Sequence, residues 1–408
     1  NGWRIVEDPP VRFRRGPGMK PLPLPVNGGT IDTLREFLNV KTDGDFILTV
    51  MWLLCALRGT GPYPVLMLAG EQGSAKSTFA STLRELIDPN TSPLRTLPHS
   101  ERDLYISAQN STVLAFDNLS RLPANLSDAF CRLSTGGGFS IRQLHTDCDE
   151  ILFDATKPIV LTAIEDIIDK ADLAQRSLFI TLEPIADDQR KTAAELRRAF
   201  ADAAPTILGV LLDGIVHGVR QWPKVELPRL PRMADFGKWA CACEGAFFPA
   251  GSFVAAYDQN LADANVTLVE ADLVASEMRT FFKTRTEWHG TAKELLEELR
   301  KQIDPALHRR WPTEPNALSG RLRRAAPTLR KIGIDIRFDD RSGKKGIRVI
   351  SISRRVDPAI SSASSASSAS NASVPPADDA DGGFGSAASA HLMDAETSPD
   401  DDEFIVEF

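Results

Sequence analysis

The feature that most constrains this fold is residues 70–78, which read Gly-Glu-Gln-Gly-Ser-Ala-Lys-Ser-Thr. An apolar run (63–69) precedes this segment and a helix-like run (76–87) follows it. The order of strand, small-residue loop and helix is typical of a phosphate-binding loop, where backbone N–H groups and a helix N-terminus surround a phosphate. We therefore predict nucleotide binding by the whole segment: Gly70, Glu71, Gln72, Gly73, Ser74, Ala75, Lys76, Ser77 and Thr78.

The side chains of this loop predict its cofactors, ATP and Mg²⁺. Lys76 is expected to reach the β- and γ-phosphates, and Ser77 Oγ is expected to bind Mg²⁺. The common pattern has glycine where this chain has Ala75, but a methyl group is small and the rest of the pattern fits. The alternative is a loop of small residues whose lysine is only solvated.

A second strand that ends in an acid supports the same site. The apolar run 113–116 leads into Asp117, about forty residues after Lys76. We predict that Asp117 binds Mg²⁺ together with Ser77; the alternative is an ordinary aspartate at the end of a strand. Asn118 follows, where many ATPases have a glutamate base, and an amide can position water but cannot accept a proton. The catalytic base is therefore unassigned, with Glu71 and Glu150 as possible substitutes.

Strand-like and helix-like runs alternate over residues 63–185, which predicts an α/β fold with a parallel sheet. The predicted strands are 64–69, 93–97, 112–116, 158–163 and 177–182. Between the third and fourth of these, alternating residues on both sides of a polar turn (147–150) predict a β-hairpin. The fourth strand has the polar residue Thr162 near its end, and Arg176 stands just before the fifth.

These motifs, in this order, resemble the AAA+ ATPases of the pre-sensor-1-hairpin group. That group includes superfamily 3 helicases, primase-helicases of phages and plasmids, and MCM helicases. The phosphate loop is similar to that of the MCM proteins, which also have alanine at the position of Ala75. The resemblance covers about residues 45–185 and implies an AAA+ P-loop NTPase core that assembles into a ring, with a hexamer expected.

The resemblance also implies roles for single residues. It makes Asp117 the Walker B acid and Thr162 a stand-in for the sensor-1 residue, which is usually asparagine. It makes Arg176 an arginine finger that reaches the ATP of a neighbouring subunit, the alternative being an ion pair within the chain. Arg142 and His145 on the hairpin would grip DNA, unless they are ordinary hairpin residues. The departures at Asn118 and Thr162 put hydrolysis in question rather than the fold.

Residues 291–353 form a separate basic unit that looks like a winged helix-turn-helix. Residues 291–355 hold seventeen Lys/Arg and eight Asp/Glu, which indicates a polyanionic partner. Thr291 and Glu294 form a capping box, a second helix spans 316–333, and two strands follow. Two sets of DNA contacts are predicted, one on the second helix and one on the wing: Ser319, Arg321 and Arg324; Lys344 and Lys345. The rival interpretation is a basic protein-docking module.

The rest of the chain divides by composition. Prolines make 1–30 an extended arm or a packed strap, 31–62 is a helical lead-in, and 186–290 is mainly helical. Residues 354–408 are rich in Ser and Ala, then acidic, and are expected to be disordered. Their tip, 399–408, combines acidic residues with a terminal Phe and is a candidate docking peptide for a replication partner.

The cysteines and the hydropathy of the chain indicate the cellular compartment of the protein. The five cysteines are odd in number and scattered, which favours reduced thiols and a cytoplasmic protein. No run of about 18 apolar residues is present, so neither a membrane span nor a membrane partner is predicted.

Together these patterns predict a DNA-associated ATP-driven motor, resembling a replicative helicase of a phage or mobile element. One alternative is an ATP-switched DNA-binding regulator that oligomerises without translocating, which Asn118 favours. The other is a small-molecule kinase, but nothing in the basic C-terminal unit supplies an acceptor site.

Overall fold

A computed structural model describes residues 2–7, 9–10, 15–137, 139–142, 150–153, 155–164, 167–168, 170–304, 310–338 and 348–355. His145 of the predicted hairpin and Lys344 and Lys345 of the predicted wing lie outside these residues, as does the acidic tail after Arg355. The described chain forms an N-terminal strap, an α/β core, a layer of helices and a small C-terminal unit.

A four-stranded parallel sheet forms the centre of the core, in the order β2-β5-β1-β6. Its strands are β1 (Val65–Gly70), β2 (Leu114–Leu119), β5 (Ile159–Ala163) and β6 (Ser177–Leu182). The hairpin strands β3 (Phe139–Arg142) and β4 (Glu150–Phe153) pair separately, as the alternation predicted. Every residue of β1 is buried, because helices cover both faces of the sheet. The predicted parallel α/β core is therefore confirmed.

The predicted strand at 93–97 is wrong. Only Arg95 pairs with β2: its N–H donates to Ala115 O at 3.0 Å, and the N–H of Asp117 donates to Arg95 O at 2.9 Å. Pro93 and Pro98 flank the segment, and proline has no N–H with which to extend a ladder. The segment therefore lies along β2 as a single bridge.

The core helices are α1 (Asp32–Arg35), α2 (Asp43–Arg58), α3 (Lys76–Ile87), α4 (Glu101–Gln109), α5 (Ala124–Thr135), α6 (Ala171–Ala174), α7 (Ala193–Gln221), α8 (Ala234–Glu244) and α9 (Ser252–Ala271). α4 begins directly after a capping serine, because Ser100 Oγ accepts the N–H of Asp103 at 3.2 Å. α2, α7 and α8 pack on one face of the sheet, and α4 and α5 pack on the other.

α7 is the longest helix in the described chain. With the turn that follows it (Ala193–Lys224) it is, among the described residues, the one segment long and apolar enough to cross a membrane. More than half of its most apolar window (56%) is buried inside the protein, where its side chains join the core with α2 and α8. An apolar helix buried in this way is typical of the core of a folded domain.

The described part of the N-terminal arm lies across α7. Trp3 Nε1 donates to Asp213 Oδ1 at 3.0 Å, and the N–H of Val26 donates to Pro205 O at 2.9 Å. Gly209 permits this contact, since a Cβ there would lie 2.0 Å from Val26 O. The arm thus packs as a strap on the core.

α9 closes the outer edge of the sheet at β6. Asn260 Nδ2 donates to Phe179 O at 2.6 Å, and its Oδ1 accepts the N–H of Phe179 at 3.0 Å. One side-chain amide therefore satisfies both backbone groups of Phe179 that a neighbouring strand would use.

The C-terminal unit has its own core and comprises α10 (Leu273–Phe281), β7 (Glu287–Gly290), α11 (Ala292–Arg300), α12 (Pro315–Lys331), β8 (Ile334–Phe338) and β9 (Ile350–Arg354). The strands form an antiparallel sheet in the order β7-β9-β8. The Thr291–Glu294 capping box is present. The predicted boundary at residue 291 is wrong, since α10 and β7 belong to this unit; β7 gives a weak signal because it has only four residues and only Trp288 in it is buried.

Candidate functional site

The carboxyl ends of β1, β5 and β2 meet at one edge of the sheet, where open α/β sheets bind their ligands. The loop that follows β1 has unusual backbone angles: Gly73 has φ +87° and Ala75 has φ +62°, both in the left-handed region. At Gly70, a Cβ would lie 2.4 Å from the carbonyl oxygen of Leu182. The glycines are therefore required by the path of the loop between β1 and α3.

The amino end of α3 has free donors. Ala75 occupies the N-cap position, and its methyl group cannot accept a hydrogen bond from the first turn. The N–H groups of that turn, with the positive end of the helix dipole, therefore face the loop interior and suit an anion. This fits the prediction of a phosphate at this position.

Lys76 is the cation of the loop. Its Nζ donates to Gly70 O at 2.6 Å and to Glu71 O at 2.8 Å. Partial burial lowers the pKa of Lys76, and the nearby Asp117 carboxylate opposes this shift. The ammonium group of Lys76 thus donates to backbone carbonyls, and a negatively charged phosphate oxygen can replace these as its acceptor.

The structure brings Ser77, Asp117 and Thr162 together. Ser77 Oγ donates to Asp117, 3.0 Å from both Oδ1 and Oδ2. Thr162 Oγ1 donates to Asp117 Oδ1 from the other side and is itself buried. A hydroxyl and a carboxylate, both oxygen donors, are the kind of ligands that Mg²⁺ prefers. The residues present therefore fit a magnesium ion beside the loop.

Asn118 has a backbone role that the sequence did not reveal. It adopts φ +56°, a left-handed conformation that asparagine tolerates better than most residues. At this irregularity in β2 its N–H donates to Thr162 Oγ1 at 2.9 Å, which completes a chain of hydrogen bonds from Asn118 through Thr162 to Asp117. Of the possible substitute bases, Glu71 is exposed on the loop, and Glu150 pairs with Arg142 in the hairpin backbone.

Asn39 fixes the loop from outside and was missed by sequence reasoning. Its Nδ2 donates to Ser74 O at 3.1 Å and to Glu183 O at 2.6 Å, so it joins the loop to the chain just after β6. A lone asparagine between two helices belongs to no motif, and its partners are 35 and 144 residues away in the chain. No sequence signal could have found it.

Arg176 lies at the amino-terminal end of the parallel strands, opposite the end that carries the loop. The N–H of Val65, at the start of β1, donates to Arg176 O at 2.8 Å, whereas the loop follows the other end of that strand. Its guanidinium is bound to Asp172, which also pairs with Arg232. Burial of Asp172 raises the pKa of its carboxyl group. Hydrogen bonds from Cys131 and Arg176 lower it by more, so the pKa of Asp172 lies below its usual value. Arg176 therefore does not join the site of its own chain, and its action on a neighbouring subunit stays a prediction.

The predicted DNA contacts lie on two separate elements. Arg142 ends β3 in the hairpin. On α12, Arg324 is exposed and Ser319 is half-buried, while Arg321 donates to the carbonyl of Arg310 at 3.1 Å. These placements leave their DNA contacts as predictions.

Comparison with protein-family models decides the affiliation of the chain. A model described as "Actinomycete integrative conjugative element replication protein" matches residues 31–266. The chain belongs to this family. A second model, described as "AICE RepA C-terminal domain", matches residues 274–368. The protein is thus a replication protein of a mobile element; the first match ends within α9 and the second begins within α10.

A comparison with curated proteins gave no match. Two solved structures of the C-terminal region of NrS-1 align with the chain, each at 12% identity. The first has a TM-score of 0.35 and covers 82% of this chain and 78% of that one. The second has a TM-score of 0.37, with coverages of 80% and 76%. At these values the likeness carries no functional argument.

Proposed function

We propose that this replication protein is an AAA+ P-loop ATPase that couples ATP hydrolysis to translocation on DNA or to unwinding of DNA. The observation that carries the proposal is the meeting of Ser77 and Asp117, 3.0 Å apart, beside a glycine-containing loop that opens a helix. Membership of a replication family supports a nucleic-acid substrate.

The residues of the loop would bind the phosphates of ATP. The first N–H groups of α3 would donate to phosphate oxygens, and Lys76 would leave the carbonyls of Gly70 and Glu71 for the negative charge. Ser77 and Asp117 would bind Mg²⁺, which when bound neutralises charge that develops during phosphoryl transfer. Thr162 would hold the Asp117 carboxylate in place through its hydroxyl.

Activation of the attacking water would depend on Asn118, the residue beside Asp117. Asn118 lies at the carboxyl end of β2 and is exposed, so its amide can orient a water molecule but cannot remove its proton. This supports a second candidate function: a DNA-binding regulator that assembles when it binds ATP and does not translocate.

A ring assembly would give Arg176 a role. In a ring, proposed here as a hexamer, Arg176 would exchange Asp172 for the ATP of the next subunit, and the hairpin with Arg142 and His145 would contact DNA in the channel. The C-terminal unit would bind DNA as a winged helix, because its order of helix, strand, two helices and two strands is the order of that fold. The acidic tip at 399–408 would recruit a replication partner.

ATP hydrolysis with and without single-stranded DNA tests the proposal. We expect DNA to stimulate hydrolysis by the wild-type protein, and Lys76→Ala to reduce the rate by about 100-fold or more, since a charged donor to the phosphates is lost. Lys224→Ala, which removes an exposed lysine after α7, is the matched control and should hydrolyse ATP normally. ATP-dependent oligomers without DNA stimulation would favour the regulator, and failure to bind ATP would exclude both functions.

DNA binding by the C-terminal unit is a separate prediction. Arg324 is exposed on α12, and if it contacts a phosphate, Arg324→Ala should lower the slope of log affinity against log salt by about one. Lys293→Ala, an equally exposed cation on α11, is the control. Fluorescence anisotropy of labelled duplex DNA at several salt concentrations measures the slope. DNA affinity that does not change with salt would favour the protein-docking interpretation.

A further inference from the structure

A second cation lies against the loop at 70–75. Arg190 follows a short 3₁₀ turn (Asp187–Gln189) that leads from β6 into α7. The position that a Cβ would take at Gly73 is 3.2 Å from Arg190 Nη2, so the guanidinium is in contact with the loop. Sequence reasoning gave Arg190 no role.

The backbone that carries Arg190 is fixed to the loop. The N–H of Ile185 donates to Gly73 O at 3.3 Å. Asn39 bridges the carbonyls of Ser74 and Glu183, as described above. Two connections therefore hold the segment 183–185 on the loop, within a few residues of Arg190.

The side chain of Arg190, in contrast, is held weakly. Its Nη1 pairs with Asp187 Oδ1 at 3.0 Å, and its Nε donates to Ile185 O at 3.3 Å. The two side chains of the pair are 56% and 90% exposed. Ion pairs between such exposed groups contribute little stability, so an anion with better geometry can replace the carboxylate.

We propose that Arg190 is a second phosphate ligand of the bound nucleotide and exchanges Asp187 for a phosphate oxygen when the nucleotide binds. A guanidinium presents paired N–H donors that match a phosphate better than a single carboxylate oxygen. Arg190 contacts the loop at Gly73, three residues before Lys76, and the assignment places it on a phosphate that ATP and ADP share. The inference rests on the proposed nucleotide binding and adds a ligand to that site.

Calorimetric titration of the full chain with ATP, ADP and inorganic triphosphate, each with Mg²⁺, tests the assignment. Arg190→Gln should weaken all three by about tenfold or more, the usual effect of losing a charge-assisted hydrogen bond. Arg190→Lys should restore part of the affinity. Arg198→Gln, which removes an exposed arginine in the first turns of α7, should bind like the wild type.

The outcomes separate this inference from the proposed function. If the wild type binds no nucleotide, the proposed function fails; if it binds and Arg190→Gln binds equally well, only the role of Arg190 fails. Weakening for ATP and ADP but not for inorganic triphosphate would make Arg190 a base or sugar contact and would also overturn the assignment. Asp187→Asn removes the competing carboxylate and should bind at least as tightly as the wild type; a tenfold loss would contradict the exchange.

Discussion

Replacing Asp88 with alanine is expected to lower the free energy of unfolding by about 3–5 kcal/mol. Asp88 Oδ2 lies 3.0 Å from Arg84 Nη2, and the two side chains are 0% and 1% exposed. The same oxygen accepts the N–H groups of Thr112 at 3.2 Å and Val113 at 3.1 Å. Alanine would leave a buried guanidinium without its counter-charge and two backbone donors without this acceptor.

Two further variants show whether burial causes the loss. Asp88→Asn keeps an oxygen for the backbone donors and should cost less than Asp88→Ala. Glu270→Gln breaks an exposed pair, in which Glu270 lies 2.6 Å from Arg279, and should cost no more than about 1 kcal/mol. Chemical denaturation measures all three. A loss below about 1 kcal/mol for Asp88→Ala would show that the pair is not a source of stability.

This pair also bears on the candidate site. Asp88 follows the last residue of α3 and binds the chain just before β2 begins. Ser77 is in the first turn of α3, and Asp117 is within β2. We therefore expect Asp88→Ala, which removes this acceptor, to loosen the Ser77–Asp117 contact wherever the protein stays folded, and a higher Mg²⁺ requirement for ATP binding would show it.

Thr162→Val is expected to weaken Mg²⁺-dependent ATP binding, or the hydrolysis that follows, by about 10–100-fold, the usual effect of removing a residue that orients a metal ligand. Valine has the shape of threonine but lacks the hydroxyl that donates to Asp117 and accepts from Asn118. The carboxylate would then be free to rotate, and the N–H of Asn118 would lose its acceptor.

The Mg²⁺ dependence of ATP binding shows whether Thr162 acts through the metal ligand Asp117. Thr162→Ser retains the hydroxyl and should behave nearly like the wild type, whereas Thr162→Val should require a higher Mg²⁺ concentration for half-maximal ATP binding. Binding measured with EDTA, which depends on Lys76 and the loop N–H groups, should be similar in all three proteins. An unchanged Mg²⁺ requirement in Thr162→Val would separate Thr162 from the metal site.

The loop, the acid-ended strand and the hairpin could be predicted because each is encoded within a short segment. Residues 70–78 contain both the glycines that the loop path needs and the lysine and serine that are proposed to bind the nucleotide and Mg²⁺. Helix starts such as Ser100 and Thr291 were predictable for the same reason, since a cap acts within three residues.

The contacts that the sequence could not give are all long-range. Asn39 and Arg190 are distant from the loop in the chain and belong to no recognisable motif, and only folding brings them into contact with it. Pro93–Leu97 looks like a strand by composition, but pairing depends on how many N–H groups can reach β2, and only Arg95 supplies one. The pair of Arg176 with Asp172 is local, four residues apart, and only the second cation on that carboxylate, Arg232, is distant in the chain, 60 residues from Asp172.

The amide of Asn260 has a consequence for how copies of this protein can associate. Sheets commonly join when an open edge strand of one molecule adds to that of another. Here Asn260 occupies the hydrogen-bonding groups of Phe179 in the middle of β6, and Arg95 occupies those of β2 at the other edge. Both edges of the core sheet are thus occupied at these positions, so we expect copies of this protein to associate without joining their core sheets edge to edge.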